Sequence, residues 1–305
     1  MIDQNHPPKA GVHQSCAPKG AGESPWLEIQ PLGSRPPLVL IHGVGGGMLW
    51  GYANLARHLG EDQPVYALKA RPHLPATIDA MADHYVRELR EFIPEGPYLL
   101  GGYCFGGNIA YEMACRLDAG GSRVGLVALM NASPPNSSYD EMNWTPAFAC
   151  KFALNLANWA AGFTRWPADK RARFIRWKLQ MTKKRLARLA RRRTARPGID
   201  ANEKVDLDSV PQGDRELWER HVISNLRHRS GPYRGRVVLL RTRGHPIDCN
   251  YDHACGWRDL VSGGVDVRII PGLHESLLEE PHVHRVAREL KASIDTLCAG
   301  EPGKL

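Results

Sequence analysis

Apolar residues follow two alternating rhythms along the chain: short β-branched runs, and longer stretches with apolar positions three and four apart. Pro37-Leu38-Val39-Leu40-Ile41 is one of the short runs, and it ends at His42-Gly43-Val44-Gly45-Gly46-Gly47. It reads as a buried strand entering a glycine loop. Residues 52–59 read as helix and residues 64–68 as the next strand. Residues 78–92 place Met81, Tyr85, Val86, Leu89 and Phe92 on one face, the spacing of an amphipathic helix. Residues 97–100 form a strand that runs into Gly101-Gly102-Tyr103-Cys104-Phe105-Gly106-Gly107, and a helical pattern resumes over 108–117. Strands are expected at 124–130, closing on Asn131, at 236–240 and at 265–270, with a last helix at 283–297. Strand and helix in alternation predict an α/β fold with a mostly parallel central sheet and helices on both faces. Its chemistry should collect at the carboxyl ends of the strands.

The rhythm breaks over residues 133–232, which are helix-rich and carry Trp144, Trp159, Trp166, Trp177 and Trp218. They are expected to form an inserted helical lid. Residues 1–25 are polar and rich in Pro, Gly and Ser, which predicts a flexible leader before a single domain over 26–305. No run has the length or apolarity of a signal peptide or a membrane span, so a cytoplasmic, membrane-free protein is expected. The formal charge of +8 is local: residues 170–193 hold twelve Lys and Arg and no Asp or Glu, leaving 28 basic against 32 acidic residues elsewhere. In that stretch Phe174, Ile175, Leu179, Leu186 and Leu189 can share one helix face, with arginines on the other. Seven scattered cysteines, an odd number, argue for reduced thiols rather than a disulfide framework. Cys249, His253 and Cys255 lack the second ligand pair that a zinc site needs, so no metal is expected.

The chemistry centres on Gly102-Tyr103-Cys104-Phe105-Gly106 between a strand and a helix. In a nucleophile elbow the middle residue occupies a strained turn, and the flanking glycines let neighbouring backbone pass close. A thiol at the start of the following helix has its pKa lowered and is enriched in the reactive thiolate. His274, in Pro271-Gly272-Leu273-His274, follows the last strand, where the order nucleophile, acid, histidine expects the base. The third member is open. Asn131 ends the strand after the nucleophile helix, where a serine hydrolase carries a carboxylate, and Cys-His-Asn is a coherent set. Asp248, or less readily Asp252, is the competing orienter. The N–H groups of Phe105 and Val44 are the expected oxyanion donors, Val44 by analogy with the loop's place in this fold. His42 should shape its turn rather than titrate, while His245, His253, His282 and His284 read as surface residues. The glycine loop lacks the Lys-Ser/Thr ending of a P-loop, and Met48 stands where a dinucleotide fingerprint needs its third glycine.

Several segments resemble the thioesterase domains of nonribosomal peptide and polyketide synthases, members of the α/β-hydrolase superfamily. They are Gln63-Pro64-Val65-Tyr66-Ala67-Leu68, the run from Pro94 through Cys104 to Gly107, Tyr111-Glu112-Met113-Ala114, Pro232-Tyr233-Arg234-Gly235-Arg236-Val237 and Pro271-Gly272-Leu273-His274. The likeness spans residues 37–292 with a diverged lid. Dienelactone hydrolases and polyhydroxyalkanoate synthases share the cysteine elbow but not the run from Pro94 or the segment from Pro232. The family usually has serine where this chain has Cys104 and aspartate where it has Asn131. The resemblance implies a substrate held as a 4'-phosphopantetheine thioester on an acyl or peptidyl carrier protein, released by cyclisation, aminolysis or hydrolysis through a Cys104 acyl-enzyme, with no cofactor of its own. The basic stretch, with Arg188, Arg191 and Arg192, is then a candidate landing site for an acidic carrier protein, and a solvated helix face is the plainer account. No nucleic-acid module is recognised. A free-standing hydrolase of small esters or lactones is the alternative, and it would work without a carrier.

Overall fold

The computed structural model describes residues 24–71, 74–191, 207, 210–246 and 249–300, with the main chain alone at 177, 181 and 184–191. Seven strands form one sheet: β1 (Trp26–Gln30), β2 (Leu38–Ile41), β3 (Val65–Leu68), β4 (Tyr98–Tyr103), β5 (Val124–Met130), β6 (Val237–Thr242) and β7 (Val265–Ile270). Their spatial order is β1-β3-β2-β4-β5-β6-β7. Only β1 runs antiparallel to its neighbour, and the remaining pairs are parallel. This is an α/β-hydrolase arrangement with β4 in the middle. The hydrophobic pattern does not anticipate β1, because an edge strand of five residues that are not fully buried leaves little apolar signal.

Alternate residues of the buried strands feed opposite faces. Val39, Ile41, Leu100, Val127, Leu129 and Leu239 pack beneath α2 (Ile78–Phe92) and α3 (Phe105–Ala119). Leu38, Leu40, Leu99, Ala128, Met130 and Leu240 pack beneath α1 (Leu49–Leu59) and α7 (His282–Cys298). Helix α2 matches the expected span residue for residue, and the Thr77 hydroxyl accepts from Ala80 N–H at 3.2 Å to cap it.

Between β5 and β6 the chain leaves the sheet, and the described residues there include the helices α4 (Pro146–Thr164), α5 (Ala168–Arg191) and α6 (Arg215–Arg227). Phe174 of α5 packs with Trp159, Phe163 and Trp166. The shared apolar face expected of α5 is not covered beyond that point, since Ile175 and Leu179 are exposed. Leu186 and Leu189 lie outside the described side chains. Lys170 is tied to Glu279 at 2.6 Å, so the basic stretch begins with a neutralised residue. Where α6 rejoins the body, buried His228 sits between Asp79 (3.1 Å) and Glu112 (3.0 Å), and Arg116 bonds both carboxylates.

Candidate active site

Strand register brings the ends of the central strands level: Ile41 pairs with Gly102, Tyr103 with Met130, and Met130 with Leu240. The residues just beyond them, His42, Cys104, Asn131 and residues 241–245 at the end of β6 and after it, therefore share one rim.

Cys104 sits between β4 and α3 with φ 52° and ψ −114°. A positive φ on a non-glycine residue costs of order 1–3 kcal/mol and persists only where the surroundings enforce it. The enforcement is visible: Cys104 N–H donates to Met130 O at 2.8 Å, and Cys104 O accepts from Gly107 N–H at 3.0 Å. The glycines are a steric condition of the turn. A Cβ on Gly106 would lie 2.3 Å from Ile41 O, and one on Gly102 would lie 2.2 Å from Gly106 C.

Both Cys104 and His274 are half-buried, and their side chains are hydrogen-bond partners. Burial is the largest influence on the thiol and pushes it up, but the His274 hydrogen bond and charge, with the Phe105 N–H, bring it below the ordinary cysteine value. Burial likewise opposes charge on His274, and the bond to Cys104 outweighs it, so the imidazole is raised. The two shifts together favour a thiolate-imidazolium pair. Other thiols behave oppositely: burial pushes Cys115 up to about 12 and Cys255 up to about 11.

His274 opens a short 3-10 turn, residues 274–276, braced by Ser276 Oγ, which accepts from Leu273 N–H at 3.1 Å. Its main-chain oxygen accepts from the Tyr103 hydroxyl at 2.6 Å and from Asn131 Nδ2 at 3.3 Å. Asn131 thus meets His274 at the backbone and not at the ring. The reason is local: Asn131 Oδ1 already accepts from Thr242 N–H at 2.7 Å and from the Thr242 hydroxyl at 3.2 Å. The geometry corrects the expectation of a ring-orienting asparagine and makes Asn131 a brace for the histidine loop. Asp252 spends its Oδ2 on the Ala254 and Gly256 N–H groups of its own loop. Asp248 lies outside the described residues, as does Arg192. Arg188 and Arg191 fall on α5, where only the main chain is described.

Phe105 is the first residue of α3, and Val44 the first of the 3-10 turn 44–46, positions whose N–H groups have no acceptor within their own helix. The Phe105 N–H lies beside the Cys104 sulfur, and Gly106 lets the elbow pack closely on Ile41 and His42, just before the Val44 turn. Sequence reasoning missed the residue that holds this arrangement. His221, fully buried on α6, accepts from Gly45 N–H at 3.1 Å and stacks on Phe105 (4.9 Å) and His42 (5.2 Å). Burial drives it to about 3, so it is neutral. His42 itself bonds Gly43 O and Tyr85 OH, both at 2.8 Å, and burial lowers it to about 4. His245, expected at the surface, instead bonds Tyr139 OH at 2.8 Å and is tied through its main chain to Asn155 and Trp159 of α4. Nothing in the spacing of His221 singled it out, since its partners come from two distant segments, 42–45 and the start of α3. Among the described residues one set, His58, Glu280 and His284, has ligand atoms close enough to share a metal ion, at the α1–α7 junction.

Residues 36–294 match the family model described as "Thioesterase domain". A dimodular nonribosomal peptide synthase of Bacillus subtilis is 39% identical over 113 residues, which cover 35% of this chain and 5% of that protein. The nonribosomal peptide synthetase btyA of Aspergillus terreus is 28% identical over 302 residues, covering 90% of this chain and 30% of that one. The chain therefore spans less than a third of the length of either relative. Among solved structures, the NocB thioesterase domain from the nocardicin cluster superposes with a TM-score of 0.57 and 25% identity, over 90% of this chain and all (100%) of that one. RedJ thioesterase of Streptomyces coelicolor, at 18% identity and a TM-score of 0.54 over 92% of this chain and 97% of that one, shares the fold. No helix among the described residues is long and apolar enough to cross a membrane.

Proposed function

The chain belongs to the thioesterase domain family, and from that premise we propose that it releases an acyl or peptidyl chain from a carrier protein's phosphopantetheine through a Cys104 acyl-enzyme. The observation that carries this reading is the opposed shift of Cys104 and His274 on a strained elbow. In the loading step the Cys104 thiolate attacks the thioester carbonyl, and the oxyanion is met by the N–H groups of Phe105 and Val44. Collapse breaks the bond to the pantetheine sulfur, which takes the proton from the His274 imidazolium. One thioester has replaced another, so the acyl group stays activated. His274, now neutral, then accepts a proton from the incoming water, amine or hydroxyl as it attacks. Cys104 leaves as thiolate.

Tyr103, Asn131 and Thr242 act by placing the His274 loop, and His221 by placing Gly45. A thiolate-imidazolium pair needs less stabilisation from a third group than a serine does, which fits an asparagine at position 131. The α4–α6 insertion serves as the lid over this rim. The basic stretch 170–193, including Arg188, Arg191 and Arg192, attracts an acidic carrier protein.

Intact-mass spectrometry of the chain mixed with acylated carrier proteins tests the reading. The expected result is an acyl adduct on wild type that is absent from Cys104→Ala; no adduct with any carrier-bound thioester sinks it. Charge reversal at Arg188, Arg191 and Arg192 should slow carrier-dependent loading and flatten its salt dependence. Loading that is unchanged by the reversal removes the docking role alone.

A further inference from the structure

A cavity of about 390 Å³ opens beside α4 with neither Cys104 nor His274 in its wall. Its lining includes Lys151 and Asn158 from α4, Arg241 and Arg243 from β6 and the turn after it, Tyr251, and Arg285 from α7. Four of its residues are cationic and none is a carboxylate. Arg243 and Lys151 have no ion pair among the described residues, and Arg285 has only a long contact of 3.8 Å to Glu289.

Arg241 is the informative member. It is 6% exposed, and its guanidinium donates to His253 O at 2.9 Å and Thr242 O at 3.0 Å. No carboxylate lies within ion-pair distance of it among the described residues. A guanidinium withdrawn from water normally has a counter-charge. Its neighbours do not supply one: Cys255 is held protonated by burial, and Asp252 commits an oxygen to two backbone N–H groups. Among the described residues the cavity is therefore a positive, partly desolvated recess.

It also adjoins the reactive rim. Arg243 follows Thr242, which holds Asn131 and through it the His274 carbonyl. A Cβ on Gly244 would lie 3.0 Å from the Leu273 side chain.

We propose that this cavity is an anion subsite for a phosphate group, the fixed anion of a phosphopantetheine-borne substrate, an inference that rests on the function proposed above. Forked guanidinium donors suit tetrahedral oxyanions. Carrier-arm phosphate and free phosphate present the same chemistry, so the test separates them.

The same acyl group is offered to the full chain on pantetheine and on 4'-phosphopantetheine, while calorimetry follows inorganic phosphate. The phosphate is expected to lower KM about tenfold at unchanged kcat. Arg243→Glu/Arg285→Glu, both exposed positions, should erase that advantage and the calorimetric signal while turning over acyl-pantetheine at the wild-type rate. Equal KM values for both thioesters, together with phosphate binding that is absent or indifferent to the double variant, overturn the subsite. Arginine-dependent phosphate binding without a KM advantage keeps the subsite and assigns it to a free anion. Arginine-dependent binding in a chain that turns over neither thioester keeps the subsite and sinks the proposed function instead.

Discussion

The Tyr103 hydroxyl donates to the main-chain oxygen of His274 at 2.6 Å, so the residue immediately before the nucleophile holds the backbone of the base. Tyr103 N–H in turn donates to Tyr52 OH at 2.9 Å, and Tyr52 OH donates to Ile41 O at 2.7 Å. The elbow, the histidine loop and the end of β2 are thereby bound into one unit. Tyr103→Phe should lower kcat roughly tenfold by loosening the His274 loop, at about 1 kcal/mol of stability. Steady-state kinetics beside a denaturant titration would check both, and an unchanged kcat would remove Tyr103 from the positioning set.

The opposed shifts of Cys104 and His274 set a pH dependence. Because the folded-state thiol is lowered, alkylation by iodoacetamide should persist at neutral pH and fall only as pH drops through that lowered value. In His274→Ala both His274 contributions are gone and only the Phe105 N–H still opposes burial, so the profile should move to higher pH. Rate-against-pH curves for the two proteins give the answer directly, and identical midpoints would contradict the pairing.

Cys104→Ser exchanges a thioester intermediate for an ester, which is less activated toward amines. The ratio of cyclised or aminolysed product to free acid should fall in the variant if release favours an amine or internal nucleophile. Product analysis by mass spectrometry reads it, and a constant ratio counts against that partition.

Gly45 has φ +65°, and a Cβ there would lie 1.9 Å from Trp218 Nε1. Gly45→Ala should displace the 44–46 turn from α6 and weaken the oxyanion donor at Val44. Turnover should drop on the order of 100-fold, the loss seen when one such donor is removed. Alkylation of Cys104 by iodoacetamide, which needs no oxyanion hole, should be nearly unchanged. Equal losses in both assays would point to general unfolding.

Glu112 is almost fully buried and bonds both His228 and Arg116. Breaking a buried ionic network by neutralising one member costs about 3–5 kcal/mol. Glu112→Gln should therefore lower the melting temperature, read by calorimetry, and free the end of α6. Stability within about 0.5 kcal/mol of wild type, the usual range for surface changes, would show the network to be dispensable.

What could be read from the sequence was what local pattern encodes. Apolar periodicity placed α2 and β5 because each buries a full face, and the glycines around Cys104 announced the turn because only their absence of a Cβ permits it. Helix α3 was under-read, since it begins at Phe105 within the glycine motif, where apolar spacing is silent. Cys104 and His274 were legible from their position after strands. The support around them was not. Asn131 was identified as a participant, but whether it touches the ring or the backbone depends on Thr242, 111 positions away. His221 lies 176 residues from Gly45, and no periodicity links them. Pairings of that kind become visible only when the chain is folded.

The seating of Trp218 and His221 against Gly45 means that the insertion between β5 and β6 is not a separable module. A chimaera that swaps residues 133–232 for those of a relative would exchange, along with the insertion, the side chains that seat the 44–46 turn. Such grafts should lose rate as well as change selectivity, unless the two α6 side chains travel with them.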